Sequence, residues 1–238
     1  MKINFNYIKG FLLLAVIVFF YGFAEKRNND RKLEKIEVQF TQFENLYVSE
    51  ESVNKLLIQN NIEVSSIAKE TLDLNRVESL LNKHEMIENA EVFLTLDGIL
   101  KTKISQRRPI GRVLGNNAFY LDRSGRKMPL SKSYSARVPV LVNMKEMDLE
   151  EAFPLVDYIN KDEFLTQHIT AITRLNGGYY QLELRQTDFN IFFGKVNRID
   201  EKFNNFKAFY KKALKDDLIN TYKKVDLQFG NQVVCTKK

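Results

Sequence analysis

The chain has no tryptophan, one cysteine and two histidines among its 238 residues. A lone Cys235 excludes an internal disulfide framework and a multi-cysteine metal cluster. His84 and His168 lie far apart with no HxxxH or HxH pairing, so no histidine-built metal site is expected. His84, between Lys83 and Glu85, reads as a polar residue after a helix, and His168 as a surface or satisfied histidine. No GxSxG elbow is present to present a nucleophile. A GxxxxGK[ST] loop and a GxGxxG fingerprint are also missing, so nucleotide use has no support. The carboxylate pairs Glu50-Glu51, Glu150-Glu151 and Asp216-Asp217 are adjacent, which on a helix points them apart. The chain is therefore expected to be no enzyme, with no cofactor, no metal and no small-molecule substrate.

Charge of one sign is not concentrated anywhere. The net charge is +6 and the pI near 9.2, but bases alternate with acids, as in Glu34-Lys35-Ile36-Glu37 and again from Lys211 to Asp217. Without a concentrated basic element, a mixed solvated surface is expected and no nucleic-acid partner. Eighteen Phe and ten Tyr supply core material for one or two modest domains.

Only the N-terminus carries a sustained apolar run. Residues 11–24 hold no charge, and Tyr7-Ile8 extend the run across Lys9. Eighteen helical residues span about 27 Å, close to the hydrocarbon thickness of a bilayer. Lys9 reaches the interface along its stem, and Tyr7 and Tyr21 suit the headgroup regions. The segment reads in two ways: as an uncleaved anchor, or as a signal peptide cut after the small residues of Gly22-Phe23-Ala24. Lys2 and Lys9 precede it, whereas Lys26, Arg27, Arg31, Lys32 and Lys35 follow it. Read literally, that bias puts the rest of the chain in the cytoplasm, but long domains translocate despite such charge. The anchor is the expectation, with residues 1–9 a cytoplasmic tail, 10–24 a transmembrane helix and 25–34 a juxtamembrane linker.

Beyond the linker, Ile36, Val38 and Phe40 alternate with polar residues, the period of a half-buried strand. Ser49 followed by two acids predicts a helix start, with Val53, Leu56 and Leu57 on one face. A second helix is predicted after Asn75, with Val77, Leu80 and Leu81 as its apolar stripe. A hairpin follows at Asp97-Gly98. A two-residue turn would set Val92 and Leu94 opposite lysines. A three-residue loop with Gly98 left-handed sets Ala90, Val92 and Leu94 opposite Ile104, Thr102 and Leu100, and burial selects this register.

Pro109 marks a boundary. After it, strands are predicted at 111–114, 118–121, 139–142, 169–175, 179–184 and 189–193. Gly177-Gly178 is a hairpin turn, and Asp122-Arg123-Ser124-Gly125 fits a type I turn. Helices are predicted at 149–160, with Pro154 near its first turn, and at 197–215. In the second, Ile199, Phe203, Phe206, Tyr210, Ala213 and Leu214 line one face to pack on a sheet. The fold class is α+β: β-α-α-β-β over residues 35–108, then a β-rich domain, 109–238, with an antiparallel sheet and flanking helices.

Several stretches in this order resemble one family. Residues 87–92 (Ile-Glu-Asn-Ala-Glu-Val), then Arg108-Pro109-Ile110-Gly111-Arg112-Val113, resemble the end of the POTRA domain of the bacterial cell-division family FtsQ/DivIB and its exit into a second domain. Phe119-Tyr120-Leu121-Asp122-Arg123-Ser124-Gly125 resembles its D-x-x-G hairpin, and Pro139-Val140-Leu141 its proline-led strand. Residues 222–235 resemble the closing strands. Gln228 stands where the family often has Arg, and Gly111 where it often has Ala, the latter read as a change of little consequence. The resemblance implies a single-pass inner-membrane scaffold at the division septum, mostly periplasmic, linking early and late divisome proteins. It implies that the POTRA domain meets other division proteins and that the β-domain receives the FtsB–FtsL coiled-coil pair. A final edge strand suits strand addition, so Gln232, Val233, Val234 and Cys235 are the expected docking edge, with Phe229 beside it. Two other readings compete. One is a cleaved, secreted α+β enzyme or ligand-binding domain. The other is a POTRA protein of outer-membrane assembly, although residues after 108 hold too few alternating runs for a barrel.

Overall fold

A computed structural model describes residues 5–29, 34–41, 46–59, 73–115, 117–131, 133–230 and 232–238. Contacts divide the chain into two units, Met1–Gln106 and Arg107–Lys238.

The first unit opens with α1 (Phe5–Asn29). Side chains from Lys9 to Lys26 are exposed on every side of this helix, Phe11 to Phe23 included. Among the described residues no helix is long and apolar enough to cross a membrane. The uncharged run of α1 covers residues 10–24 and is closed by Lys9 on one side and Glu25-Lys26 on the other.

Then come β1 (Lys35–Phe40), α2 (Glu50–Gln59), α3 (Leu74–Asn82), β2 (Ile87–Leu94) and β3 (Ile99–Gln106). The sheet order is β1-β3-β2, with β1 parallel and β2 antiparallel to the central β3. Leu100, Thr102 and Ile104 of β3 are fully buried, as are Val53, Leu57, Val77 and Leu81 of the two helices. Leu56 and Leu80 are only half-buried. The Ser52 amide donates to Ser49 Oγ at 3.2 Å, capping α2. The second helix starts earlier than expected. Asp73, not a residue after Asn75, is its cap and accepts from the Arg76 amide at 3.0 Å, since a carboxylate satisfies the orphan donors of a first turn.

The hairpin takes the register that burial selects: Ala90, Val92 and Leu94 oppose Ile104, Thr102 and Leu100, and Gly98 has φ 84°. Gln106 is buried yet satisfied, accepting from the Tyr47 and Val48 amides and donating to Val48 O.

The second unit is one nine-stranded sheet with helices packed on a face. Its elements are β4 (Pro109–Val113), β5 (Phe119–Asp122), β6 (Lys127–Met128), β7 (Val140–Val142), α4 (Leu149–Lys161), α5 (Glu163–His168), β8 (Ile169–Leu175), β9 (Tyr179–Leu184), β10 (Asn190–Gly194), α6 (Ile199–Lys215), β11 (Tyr222–Asp226) and β12 (Val234–Lys237). The order is β12-β11-β10-β9-β8-β7-β4-β5-β6. The expected antiparallel sheet is instead mixed. β4 with β7, β7 with β8, and β10 with β11 are parallel pairs. Helical crossovers cause two of them: α4 and α5 join β7 to β8, and α6 joins β10 to β11, and a crossover returns the chain in its original direction.

Leu155, Val156, Phe203 and Phe206 join Leu182, Ile191, Phe193 and Val225 in one core. Leu214, expected on that face, is 52% exposed. It sits in the last turn of α6, ahead of the exposed Asp216-Asp217. Lys202 is buried in its stead, its ammonium donating to Lys195 O at 2.8 Å and Asn197 Oδ1 at 2.9 Å.

The turn after β5 is fastened by Asp122. Its Oδ1 accepts from the Ser124 and Arg126 amides and from Ser124 Oγ. Its Oδ2 accepts from Arg107 Nε at 2.6 Å, and Arg107 Nη2 lies 2.6 Å away. Both partners of the pair are buried. Burial pushes the Asp122 carboxyl up, but bonds from Ser124, the Arg126 amide and Arg107 outweigh it and hold the group below the usual carboxylate range.

Candidate functional site

A sheet edge offers unpaired N–H and C=O groups to another chain, and the edges of this protein differ. β6, at one end of the large sheet, is two residues long. β2, at one edge of the small sheet, is covered by side chains from α3. The Ala90 amide donates to Asn82 Oδ1 at 2.8 Å, Asn82 Nδ2 donates to Ala90 O at 3.4 Å, and the Val92 amide donates to Glu78 Oε2 at 3.3 Å.

β12 ends the large sheet on the other side and, among the described residues, pairs only with β11. Its register sets Val225 opposite Cys235 and Asp226 opposite Val234. The Lys238 amide donates inward to Thr221 O at 2.9 Å. Antiparallel strands alternate inward and outward backbone groups, so Thr236 and Val234 also point their N–H groups at β11. Cys235 and Lys237 point theirs to the open side.

The expected docking residues fall unevenly around this edge. The strand is 234–237, not 232–235. Gln232 is exposed and its amide donates to Phe229 O at 2.9 Å, which makes it part of the preceding turn. Val233 is half-buried against the core just before the strand. Val234 is 43% exposed, and Cys235 is half-buried. Burial pushes the Cys235 thiol up. Phe229 is 50% exposed at the head of the turn.

That turn is held by residues that sequence reasoning missed. Asn205 Nδ2 donates to Gly230 O at 3.0 Å, Arg198 Nη2 to Gln228 O at 3.2 Å, and the Gln228 amide to Asp226 Oδ1 at 3.1 Å. The left-handed N-cap Arg198 (φ 47°) and Asn205 both lie in the N-terminal half of α6, so one part of this helix braces the approach to β12. No sequence motif marks the Asn205 and Arg198 contacts, because their acceptors are backbone carbonyls brought close only by folding.

On the sheet face away from the helices, Phe192 of β10 stacks on Tyr179 of β9 at 6.0 Å. Lys224 of β11 lies 4.4 Å from the Phe192 ring centroid and 3.0 Å from Asp226. Alternation along β10 explains the placement, since Ile191 and Phe193 face the core.

Among the described residues no cluster of three or more His, Cys, Asp or Glu is placed to hold a metal ion. His84 Nδ1 accepts from the Met86 amide at 3.2 Å, and burial lowers its pKa. His168 stacks on Phe164 with Nδ1 2.8 Å from Phe164 O. Both rings have structural partners.

A β-α-α-β-β domain ahead of a β-rich domain defines the class: a POTRA-like protein with a second, sheet-forming domain. Residues 32–105 match a POTRA-like domain model. Residues 108–236, more than half of the chain, match the family described as FtsQ/DivIB, C-terminal related. The chain belongs to the FtsQ/DivIB family, non-enzymatic membrane proteins of the division site. No curated protein matches it.

Proposed function

We propose that this chain is a bitopic scaffold of the division machinery that docks a partner strand on β12. The observation that carries the reading is the outward-facing backbone of Cys235 and Lys237 on an edge four residues long, beside a half-exposed phenylalanine. Strand addition draws affinity from those main-chain groups and specificity from flanking side chains. Docking uses Phe229, Val234 and Cys235 directly, with Gln232 and Val233 shaping the turn that presents them. The partner at this edge is the periplasmic end of the FtsB–FtsL pair, and the POTRA domain meets further division proteins.

In this reading residues 35–108 and 109–238 form two periplasmic domains, 25–34 is the linker, and α1 crosses the inner membrane with residues 1–9 in the cytoplasm. The uncharged run alone is short. Tyr7 and Ile8 lengthen it to eighteen residues, about 27 Å, with the Lys9 stem in the apolar layer and its charge at the interface.

Proline substitution tests the edge. Cys235→Pro removes an outward N–H, which an edge strand tolerates, and should abolish binding of a purified FtsB–FtsL complex while the melting temperature holds. Val234→Pro removes an inward bond and should lower the melting temperature. Phe229→Ala should weaken binding by about 2 kcal/mol, the size expected of a central aromatic anchor. Full binding by a folded Cys235→Pro chain would sink the docking proposal. A reporter active only in the cytoplasm, fused after Lys238, should be silent; activity there would overturn the topology.

A further inference from the structure

We infer that the tip of the β2–β3 hairpin, led by Leu96, is a lipid-contacting surface that seats the first domain on the membrane entered by α1. The inference rests on the reading of α1 as an anchor.

Three observations converge on it. The first is position. The Glu34 amide donates to Gly98 O at 2.9 Å, and Lys35 pairs with Ile99 in the parallel β1–β3 register. The hairpin tip is therefore pinned to the point where the chain enters β1. α1 ends at Asn29, five residue steps before Glu34. Fully extended, those steps span at most about 18 Å. The chain itself keeps the tip within short reach of the helix end.

The second is exposure. Within residues 34–106, among those described, the exposed large apolar side chains are Ile58, Phe93 and Leu96, and two of the three belong to this hairpin tip. Leu96 is 80% exposed and Phe93 45%. Phe93 opposes Lys101 and lies diagonal to the half-buried Ile99 on the same sheet face. A leucine at the apex with a phenylalanine behind it is an apolar wedge, a shape suited to the boundary between headgroups and acyl chains.

The third is charge, which selects the kind of surface. Lys35 and Lys101 both pair with Glu37, at 2.5 and 3.4 Å, and Lys103 lies 3.9 Å from Glu91. Asp97 and Glu34 stand beside the apex. The described lysines near the tip are engaged within the sheet, so contact is driven by the apolar wedge rather than by anionic headgroups. It persists on a zwitterionic bilayer and resists salt, whereas a polybasic contact fades as counterions screen it.

The experiment uses the full chain, carrying Cys235→Ser, reconstituted into phosphatidylcholine vesicles that contain nitroxide-labelled lipids. An environment-sensitive fluorophore is attached at Asp97→Cys, beside the apex, or at Lys83→Cys, beyond the other end of β2. The label at 97 should shift to the blue and be quenched by the lipid nitroxides, in low and high salt alike. The label at 83 should show neither effect. Adding Leu96→Asp to the 97-labelled chain should abolish the quenching, and circular dichroism checks that the fold is kept. Flotation of the same samples separates the two readings. A chain that fails to float overturns the anchor and this inference with it. One that floats while position 97 behaves like position 83, or keeps its quenching with Leu96→Asp, overturns the inference alone. Quenching that appears only with anionic lipid and vanishes in salt also overturns it.

Discussion

Replacing Asp122 with alanine removes the acceptor that joins β5, its turn and the domain entrance. Arg107 is 7% exposed and faces the carboxylate through Nε and Nη2, each at 2.6 Å. Deleting one partner of a buried pair removes its charge compensation in a poorly solvated site and costs about 3–5 kcal/mol. The turn loses three further bonds, from the Ser124 amide, Ser124 Oγ and the Arg126 amide. These share one carboxylate with the pair, so their contributions, about 1 kcal/mol each, do not add in full. A total near 4 kcal/mol is a large share of the roughly 5–15 kcal/mol that stabilises a domain. In urea, with m about 2 kcal/mol/M, the midpoint should fall by roughly 2 M. The pH dependence has a definite sign. The folded carboxyl titrates below its unfolded value, so the stabilisation is complete above an unfolded pKa of about 3.9 and is lost as pH falls through the lower folded value. The wild-type chain should therefore lose its advantage over Asp122→Ala in acid. Far-UV circular dichroism of both chains across urea and pH checks this. A cost below about 1 kcal/mol at pH 7 with unchanged m would refute the argument, because no buried pair breaks that cheaply.

Burial lowers Lys202 to about 8, helped by the nearby Arg198 charge. The unfolded chain then holds more protons between about pH 8 and 10.4, so stability should rise with pH across that window and flatten in Lys202→Met, measured by thermal melts. Gly111→Ala should destabilise by about 1–3 kcal/mol through overpacking, because its methyl would lie 2.9 Å from Cδ1 of the fully buried Leu141; denaturant melts check it. Asn82→Ala should speed amide exchange at Ala90 by roughly fivefold, the equivalent of one hydrogen bond of about 1 kcal/mol. Glu91 and Phe93, whose amides face β3, should keep their protection.

What the sequence disclosed follows a physical divide. The β2–β3 register was legible because one slip would bury Lys101 and Lys103, and local burial alone decides that. Strands 169–175 and 179–184 were legible for the same reason, with Gly177 and Gly178 marking the turn between them. The parallel pairings were not, because the partner of β7 or β11 is chosen by a helix packing over the sheet and not by its own residues. Gly111 shows the same divide. Its lack of a side chain matters only because Leu141 of a parallel neighbour lies over it. At the candidate site the apolar pair Val233-Val234 drew the strand two residues too early. Burial pattern weakens at an edge, where Thr236 and Lys237 meet water, and the bonds from Asn205 and Arg198 that hold the turn have no local signature.

The same two domains show why an edge must be judged by its covering and not by its sequence. β2 is longer than β12 and more apolar, and on propensity it is the better template for another strand. Asn82 nevertheless occupies both backbone groups of Ala90, and Glu78 takes the Val92 amide, so a full turn of α3 stands where a partner strand would lie. A strand arriving there must displace three hydrogen bonds before making its own, while one arriving at β12 displaces water. Selectivity between the edges then needs no special affinity at Cys235 and Lys237. Between β2 and β12 it follows from closure of β2 by α3, and removing Asn82 and Glu78 together should open β2 to strand pairing.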